Sequence, residues 1–126
     1  MIQGDKNKGY RKLRVWQEAH QLALLTYKIT KQFPKEELFC LTAQLRRAVI
    51  SVSANIVEGY AYRSASKLKQ FLGISRGSLA ETEYFFELAL DLGYINKDQY
   101  FELEEQRSKV GAYLTKFIKA IEANNH

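Results

Sequence analysis

At 126 residues with a net charge of +5, the chain has the length for one domain with a continuous core. Its composition, 46% apolar and 26% charged, excludes wholesale disorder, and no apolar run approaches the roughly 20 residues of a membrane span. A single cysteine, Cys40, excludes an internal disulfide and a cysteine-based metal cage.

The first eight residues are polar and lack the apolar stretch of a secretory signal, so a cytoplasmic protein without membrane contact is expected. Residues 1–31 hold seven Lys/Arg against Asp5 and Glu18, whereas the rest of the chain balances to zero. A local cluster of this kind is how an electrostatic nucleic-acid footprint begins, and also how a solubilising terminus looks. Lys6, Lys8, Arg11, Lys12 and Arg14 are the candidate phosphate-binding residues, with 1–11 read as a flexible basic arm and 12–123 as the domain.

Four helices are predicted. The first spans about Lys12 to Gln32, on the three- and four-residue recurrence of Trp16, Ala19, Ala23, Thr26, Tyr27 and Thr30, and Pro34 stops it. The second starts near Lys35 or Glu36, where acidic side chains suit a helix N-terminus, and ends near Gly59. The third follows Ser64 or Ser66 as N-cap and runs to Leu92, with Gly93 as its stop. The fourth follows Asn96 and continues to about Ala123. With a scarcity of glycine and proline and no strand-like alternation, the fold class is all-α, an antiparallel up-down-up-down four-helix bundle.

On the second helix Leu41, Leu45, Ala48, Val52 and Ile56 make the core stripe, yet Ala43, Ile50, Ala54 and Val57 lie roughly opposite. On the third, Leu68, Leu72, Leu79, Phe86 and Leu90 form the stripe, widened by Ile74, Phe85, Leu88 and Leu92. One bundle covers one face of each helix, so the second faces are expected to meet further copies of the chain, making a homo-oligomer.

Catalytic chemistry finds little support. A di-iron site in a bundle needs Glu-x-x-His pairs, and none occurs, the only histidines being His20 and His126. No cofactor is therefore expected. Cys40, between Phe39 and Leu41, reads as a packing residue. Arg14 and His20 match the loose Arg…His spacing of helical HEPN ribonucleases, but Val15 stands where a polar residue commonly follows the arginine. A helix also places the two on different faces. Polar residues among packing positions are more informative: Gln44 and Asn55 flank the core stripe, and Ser75 and Ser78 permit close helix approach. Glu58 and Glu81 have Arg46, Arg47 and Arg76 as candidate countercharges. A paired polar layer fixing helix register is the structural reading of this set, and a ligand or RNA site the functional one.

These residues carry a resemblance. Val15-Trp16-Gln17-Glu18-Ala19, Phe33-Pro34-Lys35-Glu36-Glu37, Gln44-Leu45-Arg46-Arg47-Ala48, Asn55-Ile56-Val57-Glu58-Gly59, Phe71-Leu72 and Gly77-Ser78-Leu79-Ala80-Glu81 follow in order. Over about Tyr10 to Ile121 the chain resembles the four-helix-bundle 23S rRNA intervening sequence proteins, departing at Val57, where they more often have alanine. The resemblance implies a bacterial protein and a ring-like homopentamer. A more distant relative, the accessory variability protein of diversity-generating retroelements, works with a reverse transcriptase and RNA. Binding of RNA or DNA backbone by a non-enzymatic oligomer is thus the leading expectation. A scaffold recruiting a protein partner such as a polymerase is the alternative, and a HEPN-like ribonuclease a remote one.

Overall fold

A computed structural model describes residues 8–124. Four helices carry the chain: α1 (Arg14–Thr30), α2 (Leu41–Ala61), α3 (Ala65–Asp91) and α4 (Lys97–Ala123). Gly9–Lys12 and Lys35–Glu37 are short 3₁₀ turns. Among the described residues no strand forms, and no helix is long and apolar enough to cross a membrane.

Local chemistry sets most of the boundaries. Ser64 caps α3, its Oγ accepting the Lys67 N–H at 3.3 Å. Asn96 and Gln99 form a reciprocal capping box at α4, satisfying two orphan donors of its first turn. Gly93, at φ 78°, supplies the left-handed residue that ends α3.

Two boundaries differ from the sequence reading. The second helix begins at Leu41 rather than near Lys35, because Cys40 takes φ −118°, ψ −106° and interrupts the helical path. Glu36 and Glu37 lie in the preceding 3₁₀ turn, and Glu37 Oε1 accepts the Leu41 N–H at 3.2 Å in place of a cap from Cys40. Cys40 itself is exposed, not a packing residue. At the other end, Gly9–Lys12 belong to the folded body rather than to an arm. The Tyr10 ring meets Trp16 edge-on at 4.8 Å, and Gln17 donates to the Arg11 carbonyl at 2.8 Å. Lys6 lies outside the described residues.

Each helix packs against the next, α4 closes back on α1, and among the described residues the backbones of the diagonal pairs do not approach one another. Contacts that advance along α2 retreat along α3: Ser51 meets Ser78, while Gly59 meets Leu68 and Phe71. The same holds between α1 and α2, where Lys12 lies over Tyr60 and Thr30 meets Arg46, and between α3 and α4, where Lys69 meets Glu122 and Glu83 meets Arg107. Neighbouring helices are therefore antiparallel.

The core lies along the bundle axis. Val15, Ala19, Leu22 and Ile29 of α1 face the expected stripe Leu41, Leu45, Ala48, Val52 and Ile56 of α2, joined by Val49. Leu72, Leu79 and Phe86 of α3 and Leu103, Val110, Leu114 and Ile118 of α4 complete it. Buried hydroxyls are satisfied within it: Thr26 and Thr30 donate to the carbonyls of Leu22 and Thr26, both at 2.8 Å. Ser75, fully buried, donates across to the Val52 carbonyl at 2.8 Å.

Candidate nucleic-acid interface

The polar layer lies between α2 and α3. Asn55 Nδ2 donates to the carbonyl and hydroxyl of Ser51 at 2.8 and 2.9 Å, and Ser78 Oγ donates to Ser51 Oγ at 2.8 Å. With the Ser75 bond these contacts hold two helix backbones close, as Gly59 does at their ends, where an added Cβ would lie 2.9 Å from Phe71 Cβ. The charged members do not join. Arg46 Nε donates to Thr30 Oγ1 at 3.0 Å and its guanidinium lies over Tyr27, 4.6 Å from the ring centroid. Among the described residues no ion pair includes Glu58, Glu81, Arg47 or Arg76. All four are exposed, as are Gln44 and Gly77, so the expected countercharges are not brought together within one chain.

The second apolar face divides. Ile50 and Ile74 are 44% and 46% exposed, and Ala54 and Leu92 are exposed too. Ala43 and Val57 are half-buried, whereas Phe85 and Leu88 pack against the chain's own core.

The basic cluster is larger than its sequence neighbourhood. Antiparallel alternation brings residues 8–21, 52–77 and 111–124 to one end of the bundle. That half holds Lys8, Arg11, Lys12 and Arg14 from the approach to α1, Arg63, Lys67 and Lys69 around the α2–α3 turn, and Arg76 near the middle of α3. Lys116 and Lys119 of α4 complete it, so ten cations face only Glu18, Glu58 and Glu122. The other half, residues 22–51 and 78–110, holds eight Lys/Arg and ten Asp/Glu. The bundle thus carries about +7 at one end and −2 at the other. At about 1.5 Å per residue the 21-residue α2 is roughly 31 Å long, several times the ~8 Å screening length at physiological salt. The two ends therefore act as separate patches.

Within the cationic end, Arg14 is the most committed side chain. Its Nε bonds Glu18 Oε2 at 2.8 Å, and its guanidinium sits 5.4 Å from the centroid of Tyr113. Glu18, with a side chain only 12% exposed, also accepts from Gln106 at 2.9 Å. The Gln106 hydrogen bond, helped by Arg14 and Lys109 and opposed by burial, holds its carboxyl below the usual carboxylate range. His20 does not meet Arg14's partners: its ring stacks on Trp16 at 4.9 Å and 8°. Among the described residues no group of three or more His, Cys, Asp and Glu could hold a metal ion. Lys8, Arg11 and Lys12 carry no ion pair among the described residues, Arg11 and Lys12 lying over the rings of Tyr10 and Tyr60.

Arg63, Lys67, Lys69, Lys116 and Lys119 escaped the sequence reading because residues 32–126 balance to zero when taken as one block. Folding the four helices back and forth on paper, and summing by end, would have found them.

The fold and its charge distribution define a class: an antiparallel four-helix bundle, tightly joined through a polar α2–α3 seam, with one cationic end. The chain belongs to the 23S rRNA-intervening sequence protein family, whose family model matches residues 11–116. A similar solved structure is a Bacteroides thetaiotaomicron protein of unknown function from the S23 ribosomal protein family. It is 26% identical with a TM-score of 0.77, covering 83% of this chain and 95% of that one. Comparison with curated proteins gives no match.

Proposed function

We propose that the protein is a non-catalytic, self-associating bundle that binds RNA or DNA backbone through its cationic end. The pooling of ten Lys/Arg against three carboxylates at one end of the fold carries this reading. Phosphate binding by many such cations releases condensed counterions, which gives affinity without base preference. The family's name, 23S rRNA-intervening sequence protein, is consistent with that partner class. Self-association is supported by the exposed Ile50, Ala54 and Ile74 surface, flanked by Arg47, Arg76, Glu58 and Glu81, charges of both signs with no ion pair among the described residues. A second copy of the chain offers both the apolar area and the complementary charges, and assembly in a ring would repeat the cationic end several times over.

Fluorescence anisotropy with labelled RNA tests the binding. If four to six phosphates of a single strand are contacted, log K should fall against log salt with a slope of about −3 to −4. The triple variant Lys67→Glu, Lys69→Glu, Lys116→Glu should abolish binding, and a charge change at Lys31 and Lys35 should not. Absence of binding to RNA and DNA at low salt would refute the reading.

A second reading, a scaffold for a protein partner, is favoured by the opposite end. There Phe39 is 88% exposed, with Leu38 and Leu92 also exposed. It expects a partner retained after nuclease treatment and lost on Phe39→Ser.

A further inference from the structure

The α2–α3 connection is only three residues long, Tyr62, Arg63 and Ser64. Arg63 sits at φ 52°, a left-handed conformation that glycine adopts freely and a residue with a Cβ does not. Beside it, the Tyr62 ring stacks on Phe71 with centroids 5.5 Å apart and planes 13° from parallel. Phe71 is a fixed support, since its Cβ occupies the space that a side chain at Gly59 would need. Tyr62 nevertheless remains 53% exposed, with the Lys67 ammonium 5.5 Å from its centroid. Among the described residues the other well-exposed aromatics, Tyr27, Phe39, Tyr84 and Phe101, all lie in the opposite half. Tyr62 alone joins an open aromatic ring to the cationic end.

An exposed ring on a rigid support, flanked by cations, is the combination by which proteins hold single-stranded nucleic acid: bases stack on the aromatic and phosphates meet the charges. In a continuous duplex the base faces are covered by their neighbours, so the ring would add nothing. We infer that Tyr62 is a stacking platform for an unpaired base, with Arg63 and Lys67 on the adjoining phosphates. This makes the partner a single strand or an unpaired loop of RNA or DNA, and it rests on the cationic-end reading above. Lys67, on a flexible four-carbon stem, moves off the ring as the base arrives. Arg63 explains itself in the same way. A turn needing only a left-handed residue is best served by glycine, and an arginine there is of use only through its side chain.

Packing alone predicts different behaviour from stacking, which makes the test decisive. Anisotropy titrations would compare a single-stranded oligonucleotide with a hairpin-free duplex of the same sequence, for the wild type, Tyr62→Ala, Tyr62→Trp and Arg63→Gly. Tyr62→Ala should weaken single-strand binding by about fivefold or more, as loss of a base–aromatic stack does, and duplex binding by less than about twofold. Tyr62→Trp should restore it. Arg63→Gly, which relaxes the turn, should melt no lower than the wild type yet bind the single strand more weakly, and it serves if Tyr62→Ala fails to fold. Equal losses on both ligands, no loss on either, or a wild-type preference for duplex would overturn the inference while leaving backbone binding intact. Failure of the wild type to bind either ligand at low salt would instead remove the reading on which it rests.

Discussion

Gly59→Ala tests the close α2–α3 approach directly. The added methyl would sit 2.9 Å from Phe71 Cβ, 3.2 Å from Leu68 Cδ1 and 3.4 Å from Leu68 Cα. The first of these neighbours is a Cβ, fixed to its backbone, so it cannot rotate away and the helices must separate. Overpacking of this kind costs about 1–3 kcal/mol, while exchanging glycine for alanine in a helix returns at most about 1 kcal/mol. A net loss of about 1–2 kcal/mol is expected, which for a chain of this size lowers Tm by roughly 3–10 °C. Gly77→Ala is the internal control, because nothing lies within 4 Å of its added methyl and the substitution should stabilise an isolated chain. Circular dichroism melts at several protein concentrations would separate the folding effect from assembly, since an oligomer's Tm shifts with concentration. Gly59→Ala melting at or above the wild type would refute the claim that this seam is rigid, and with it the support given to Phe71 and Tyr62.

Replacing Ile50 and Val57 by lysine should shift light scattering to a smaller species while far-ultraviolet dichroism stays helical, and an unchanged mass would remove the assembly surface. Gly77→Ala should weaken self-association even as it stabilises the helix, if α3 packs closely against a second copy. For Glu18 the sign runs with the depressed carboxyl: its contribution is complete above the ordinary glutamate range and is lost as pH falls through the lower folded value. Glu18→Gln should therefore flatten the acid side of a stability–pH curve, and a curve parallel to the wild type would show that Gln106 and Arg14 do not hold the charge. Ser75→Val should cost about 1–3 kcal/mol, measured by urea denaturation, because the donor to Val52 is lost and a larger group enters a fully buried site.

What the sequence made legible followed from periodicity and caps. Leu41, Leu45, Ala48, Val52 and Ile56 are all buried as expected, since a core stripe needs nothing but its spacing. Ser64 and Asn96 were readable because a cap is a local hydrogen bond. The start of α2 was not, because acidic residues favour the first turn of a 3₁₀ segment as well as that of an α-helix, and only the backbone at Cys40 separates the two. Thr26 and Ser75 stood at packing positions in the sequence, but the acceptor that lets Ser75 be fully buried was not legible, because Val52 lies 23 residues away. The cationic end was the least visible feature for a related reason. Lys67 and Lys116 stand 49 positions apart in the sequence, and their charge cancels only when residues 32–126 are summed as one block. Antiparallel alternation reverses the chain direction at each turn, so the acids at residues 83–105 are carried to one end and these lysines to the other. With the ends separated by more than the screening length, a nearly neutral C-terminal region still presents a strong field where its cations collect. A ligand meeting the bundle would respond to that end, where Tyr62 stands beside Arg63 and Lys67.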